Sequence, residues 1–327
     1  MSKYKSNYFI PSVHTGVKYF LASKQKTTDI GRKYFLSRFR ERERNFKNET
    51  DVSGEYSSES LMNSPDIVFK LLSDIIKSSF IHGDFSADIL VCAFLPLLKG
   101  SLKDDTKSDN YRAIALSSLI LKVIDNIILI VWGDLLSSDC LQFGFKAGTG
   151  TSPCSWAVLE VVSMYHRQKC SVKAACLDLS KAFDQCLFSA LFLKILNHGV
   201  PAIVVRGLLS MYSMQKCHVR WTPSKVISRM FSVSNGTEQG SCLSPCLFAI
   251  YMDELLQILR RSGIGCHVLD LFAGAFFYAD DLIILAPTRQ ALQEMLTICE
   301  DYATQHNMIF SVNEDPKKSK SKCIFFQ

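Results

Sequence analysis

Two adjacent carboxylates, Asp280 and Asp281, interrupt the apolar run Phe276-Phe277-Tyr278-Ala279-Asp280-Asp281-Leu282-Ile283-Ile284-Leu285. A tight turn between strands explains them only in part, because two-residue hairpin loops prefer Asn-Gly or Asp-Gly. Removing two carboxylates from water is costly unless a cation binds them. A third, Asp178, closes a similar run between Leu177 and Leu179. If the two runs are neighbouring strands of one sheet, the three carboxylates converge. Hard oxygen ligands of this kind suit Mg²⁺. Two such ions about 3.5–4 Å apart can activate a hydroxyl and stabilise a leaving pyrophosphate. Solvated turn aspartates are the rival reading.

The elements that must position these residues follow from periodicity and punctuation. Apolar residues at helical spacing predict a helix over 67–80, and the continuous run 89–98 reads as a buried strand. Ile114, Leu116, Leu119, Ile120, Val123, Ile124, Ile127 and Ile128 predict one long helix face. Residues 173–179 read as a strand, followed by a helix over 187–197 that Gly199 and Pro201 close. Strands are expected at 219–221 and 230–233 around Pro223. Ser244 and Pro245 supply an N-cap and first helical position for a helix ending at Arg260, Arg261 and Gly263. Residues 276–286 read as strand, turn, strand, Thr288 caps a further helix, and 308–312 and 322–326 are strand-like. The order from residue 173 is an α+β pattern, with helices on one face of an antiparallel sheet.

The 327 residues are 48% hydrophobic and 21% charged, the composition of a packed protein. Lys122, Asp125, Asp280 and Asp281 break the longest apolar runs below the length of about eighteen that a membrane helix needs. No membrane partner is expected. Twelve cysteines without a C-x-x-C pair point to a reducing, intracellular setting, nucleus or cytoplasm. Residues 1–50 hold 12 Lys/Arg against 4 Asp/Glu, whereas the whole chain carries +6. This basic arm, joined by a Ser-rich linker at 51–65, suits a polyanionic partner. P-loop, zincin and hydrolase-elbow motifs are absent from the sequence.

Tyr278-Ala279-Asp280-Asp281 resembles the YxDD box of reverse transcriptases, and the resemblance runs in register over 66–327. Asn110-Tyr111-Arg112-Ala113-Ile114-Ala115-Leu116 is similar to the NYRPISL segment, and Gln142-Phe143-Gly144-Phe145-Lys146 to the QFGF segment of non-LTR (LINE-type) retrotransposon polymerases. Residues 177–184 (LDLSKAFD) resemble the first palm motif of that family, and residues 235–245 (NGTEQGSCLSP) its QG…LSP motif. Lys317-Lys318-Ser319-Lys320 resembles its K-S/T-K element. The family resembled implies a right-hand polymerase of fingers (66–170 and 200–235) and a ferredoxin-like palm (171–199 and 236–327). It also implies that the thumb is absent here.

The implied activity is an RNA-directed DNA polymerase that adds deoxynucleotides to a primer 3′-hydroxyl. Its implied partners are an RNA template, a DNA primer and dNTPs, with two Mg²⁺ ions that Mn²⁺ can replace. Asp178 and Asp280 would bridge the ions and Asp281 complete the cluster. Arg112, helped by Lys99, would hold the triphosphate, and Phe183 would exclude a ribose 2′-hydroxyl. Gln239 and Gly240 would contact nucleotide and template, and Lys318 would neutralise the leaving pyrophosphate. Glu238 departs from the family pattern and is expected to place a negative charge near the path of template or nucleotide. A catalytically inactive, truncated retrotransposon remnant that only binds nucleic acid is the alternative.

Overall fold

The computed structural model describes residues 58–100, 104–221, 226–313, 315 and 318–326, apart from the Met62 side chain. The basic arm expected at 1–50 lies outside them. Helix α1 (Asp66–His82) ends in left-handed Gly83, whose N–H bonds to the Ser79 carbonyl. Strands β1 (Val91–Leu98) and β2 (Tyr111–Ser117) pair antiparallel, from Cys92 opposite Ser117 to Leu98 opposite Tyr111.

The long helix expected from Ile114 therefore starts later. Ile114 and Leu116 belong to β2, and α2 (Leu119–Trp132) begins after Ser118, whose hydroxyl accepts from the Leu121 N–H. The apolar spacing changes from two to three or four at that serine, and the cap enforces the change. Helix α3 (Thr151–Arg167) leads to β3 (Val172–Asp178), a single helical turn at Ala182–Gln185, and α4 (Phe188–Asn197).

A helix not foreseen from sequence, α5 (Ala202–Met214), starts behind Pro201. It is followed by β4 (Lys216–Trp221), β5 (Val226–Ile227) and β6 (Phe231–Ser232). Helix α6 (Ser244–Ser262) stops at left-handed Gly263. Its expected cap, Ser244, makes no capping bond; the Ser241 hydroxyl instead accepts from the N–H groups of Leu243 and Ser244. Hairpin β7 (His267–Val268) and β8 (Leu271–Phe272) precedes β9 (Ala275–Tyr278), β10 (Asp281–Ala286), α7 (Arg289–Gln305) and β11 (Lys322–Phe326). The Thr288 hydroxyl caps α7 by accepting from Ala291 N–H.

Two sheets organise these elements. One runs β2-β1-β4-β5 with β6 also on β4; β1 and β4 are parallel, Cys92 standing opposite Cys217. The other is antiparallel throughout, in the order β11-β3-β10-β9. Alternate residues of its strands are apolar on both faces. Ala175, Leu177, Phe277, Leu282 and Ile284 share a core with α4, α6 and α7. Ala174, Phe276 and Leu285 pack with Cys154 and Val161 of α3. The helices foreseen on one face are α4, α6 and α7; α3 covers the other. Lys194 ties the first three together: its ammonium donates to the Tyr251 carbonyl (3.1 Å), Glu254 Oε2 (2.6 Å) and the Tyr302 hydroxyl (2.7 Å).

Between α2, α5 and the loop ahead of α6 lies a small cavity in which Ser117, Asp125, Gln215, Glu238 and Ser241 line a wall shared with Leu121, Met211 and Tyr212. Ser241 donates to Asp125 Oδ2 at 2.6 Å. Burial, then the nearby Glu238 charge, push the Asp125 carboxyl up to about 7, against the pull of its hydrogen bonds.

Two outcomes follow from this packing. A Cβ at Gly207 of α5 would fall 2.2 Å from the buried Phe80 ring of α1. Gly207→Ala should therefore lower stability by about 1–3 kcal/mol despite better helix propensity, measured as a drop in Tm. From about pH 4 to 7 the folded protein keeps a proton on Asp125 that the unfolded chain releases, so stability falls as pH rises through that window. Asp125→Asn keeps an acceptor for Ser241 and should raise Tm at pH 8, where the ionised carboxylate costs up to about 4 kcal/mol. At pH 4 the gain should vanish. Equal gains at both pH values would show that Asp125 ionises without cost.

Candidate active site

Strand β3 ends and β10 begins with an aspartate, and the register sets Asp178 directly opposite Asp281. Asp281 also faces Tyr278 across the β9–β10 hairpin, so Ala279 and Asp280 form its two-residue loop. Ala279 is left-handed (φ 58°), the position where such loops ordinarily carry glycine. Burial, then the charge of Asp178, raise the Asp280 carboxyl above its ordinary range, while Lys320 and Arg112 pull it down. Asp281 is raised by desolvation, then by Asp280 and Asp178. Three carboxylates thus concentrate negative charge at one end of the antiparallel sheet.

The backbone around Asp178 is held on both sides. Its carbonyl accepts from Ser311 N–H (2.7 Å), its own N–H donates to the Ser321 hydroxyl (3.2 Å), and Ser180 N–H donates to the Ile309 carbonyl (2.8 Å). Its Oδ2 lies 3.1 Å from the Lys320 ammonium. Lys320 was not singled out from sequence, although it stands in the K-S-K element that marked Lys318. Lys318 instead pairs with Asp315 at 3.7 Å on the surface, and Lys317 lies outside the described residues.

A divalent cation fits the chemistry of this donor set: hard oxygens whose mutual repulsion one lysine only partly offsets. Among the described residues no group of three or more His, Cys, Asp or Glu side chains is arranged so that it could hold a metal ion, the three aspartates included.

Arg112 lies exposed on β2, and its charge reaches Asp280. Lys99 stands at the far end of β1, where its ammonium donates to the Asp109 carbonyl at 2.7 Å. Phe183 is half-buried, stacked on Phe248 of α6 (centroids 4.8 Å apart) with the edge of Phe145 at 5.9 Å. Gln239 joins β2 through its carbonyl, which accepts from Ala115 N–H at 2.6 Å. Gly240 has φ 130°, and a Cβ there would fall 2.5 Å from the Ala115 carbonyl oxygen. The close approach that the sequence suggested for this glycine is made to β2. Glu238 lines the cavity beside Asp125 and accepts from the Gln215 amide.

Comparison with known proteins agrees with this geometry. Residues 101–321 match the family described as reverse transcriptase (RNA-dependent DNA polymerase). The chain is 29% identical over 199 residues to the retrovirus-related Pol polyprotein from type-2 retrotransposable element R2DM of Drosophila melanogaster, a match covering 60% of this chain and 18% of that protein. It is 25% identical over 193 residues to the Pol polyprotein from type-1 retrotransposable element R2 of Nasonia vitripennis, covering 58% and 18%. The chain thus spans about a fifth of the length of these relatives. In fold it is similar to apo telomerase from Candida tropicalis truncated from its C-terminal domain. The TM-score is 0.52 at 12% identity, covering 80% of this chain and 56% of that one. Motif order, the paired aspartate strands and a family match over most of the chain lead to one assignment: the chain belongs to the reverse transcriptase (RNA-dependent DNA polymerase) family.

Proposed function

We propose that this domain extends a DNA primer on an RNA template, with dNTPs as substrates and the carboxylates at the β3–β10 junction as its catalytic centre. The observation that carries the reading is the register of Asp178 opposite Asp281, with Asp280 on the adjoining turn. In this reading residues 66–170 and 200–235 are fingers, and 171–199 and 236–327 palm. Pairing of β4 with β1 supports the second fingers segment. Among the described residues no helix is long and apolar enough to cross a membrane.

Asp178 and Asp280 are the residues to hold two divalent ions, Mg²⁺ or Mn²⁺, with Asp281 shaping the cluster. When bound, such ions supply activation of the primer hydroxyl and charge neutralisation of the pyrophosphate. Arg112 presents a planar, permanently charged fork suited to the triphosphate. Lys99 assists only by moving away from Asp109. Of the two lysines of the K-S-K element, Lys320 stands beside the carboxylates, so we assign to it, rather than to Lys318, neutralisation of the leaving pyrophosphate. Gln239 and Gly240 fix a turn against β2 at Ala115, and so shape the nucleotide pocket through their backbone. Phe183, anchored between Phe248 and Phe145, is the ring we assign to exclude a ribose 2′-hydroxyl.

Primer extension on poly(rA)·oligo(dT) with Mg²⁺ tests the reading. Parent protein should extend the primer, and Asp280→Ala should lower the rate at least about a hundredfold. Nucleic-acid binding without extension by the parent would establish the inactive remnant. Phe183→Ala should raise the ratio of ribonucleotide to deoxynucleotide incorporation. The ratio separates sugar selection from the loss of packing, which costs about 3–5 kcal/mol for a buried Phe. An unchanged ratio on folded protein returns Phe183 to a packing role.

A further inference from the structure

Gln142 stands 137 positions before Ala279, yet both ends of its side-chain amide bond to that residue. Its Oε1 accepts from the N–H groups of Ala279 (3.0 Å) and Gly144 (2.8 Å), and its Nε2 donates to the Ala279 carbonyl at 3.1 Å. Two N–H donors converging on one atom require the oxygen there, so the amide orientation is fixed by its partners. The side chain is 1% exposed. One planar amide thus satisfies both backbone polar groups of the residue preceding Asp280.

That residue is left-handed, a conformation in which a Cβ is disfavoured and which persists where the surroundings over-determine it. The surroundings here are the segment around Gln142. Phe143 N–H donates to the Phe277 carbonyl (2.8 Å) and Phe277 N–H to the Leu141 carbonyl (2.9 Å), a short parallel bridge along β9. Gly144 lies so close that a Cβ there would fall 2.2 Å from the Ala279 nitrogen. The far end of the segment is anchored on α6: Asp139 N–H donates to Asp253 (2.8 Å), and its carboxylate pairs with Arg260 (2.8 Å).

We propose that Gln142 is a positioning residue: its amide locks Ala279 in the left-handed conformation and so sets where the Asp280 carboxyl stands relative to Asp178. The proposal rests on the reading of these aspartates as the polymerase centre. It gives the QFGF segment a physical task, holding the aspartate turn from outside the sheet.

Gln142→Leu removes all three bonds at similar volume, and Gln142→Asn keeps the amide but falls one methylene short. Ala279→Gly relieves the need for the lock, because glycine adopts positive φ unaided. Hydrogen exchange, Tm and Mn²⁺ binding by electron paramagnetic resonance would be measured on the full chain for each single variant and for the pairs with Ala279→Gly. Gln142→Leu should speed exchange at the Ala279 and Gly144 amides roughly tenfold or more, while Ile284 in β10 stays protected. It should weaken Asp280-dependent Mn²⁺ binding several-fold, and adding Ala279→Gly should restore both Tm and Mn²⁺ affinity towards the parent. Should Gln142→Leu fail to fold, Gln142→Asn carries the same comparison. Unchanged exchange at Ala279, unchanged Mn²⁺ affinity in the folded variant, or no rescue by Ala279→Gly overturns the proposal. A parent that binds no Mn²⁺ through Asp280 instead removes the polymerase reading. Exchange at Ala279 and rescue of Tm then still decide whether Gln142 locks the turn.

Discussion

Carboxylates placed opposite one another at the ends of neighbouring strands repel, and the cost grows as water is withdrawn. The sheet keeps Asp178, Asp280 and Asp281 together against that repulsion because their strands cannot slide. A slip of one residue would turn every side chain of β10 to the wrong face, exchanging Leu282 and Ile284 with Ile283 and Leu285 between two filled cores. The electrostatic load is thus carried by apolar packing some distance away. Lys320 and Arg112 relieve part of the repulsion.

Much of this was readable in one dimension. Two aspartates inside an apolar run point to a turn, and the run around Asp178 to a partner strand; both features are local. What escaped the sequence was set by contacts distant along the chain. Ile114 and Leu116 fit a helical face as well as a strand, and only pairing with β1 decides between them. Ser244 looks like a cap beside Pro245, yet Ser241 reaches the free N–H groups because the preceding turn docks on β2. Lys318 and Lys320 are equivalent in a K-S-K string, and the course of the chain into β11 puts the second one beside Asp178. Gly240 was legible as a place of close approach, but what approaches it was not.

The two faces of the antiparallel sheet divide the work. On one side Lys194 joins α4, α6 and α7 through a single ammonium that is mostly shielded from water. Replacing so desolvated a cation without replacing its partners would leave oxygens unsatisfied. On the other side α3 closes the core, and the segment around Gln142 reaches round the β9 edge. That edge would otherwise present unpaired backbone groups.

The parallel pairing of β1 with β4 has a consequence for how the chain comes into being. About 125 residues separate the partners Val91 and Lys216, and the whole of β3, α4 and α5 lies between them. During synthesis β1 and β2 emerge together and can form their hairpin at once. The other edge of β1, with Cys92 and Phe94, stays open until β4 leaves the ribosome. At about 5–20 residues per second that interval lasts roughly 6–25 seconds, long compared with the microseconds in which a hairpin forms. For that time the nascent chain offers a short apolar strand to any neighbour that can extend it.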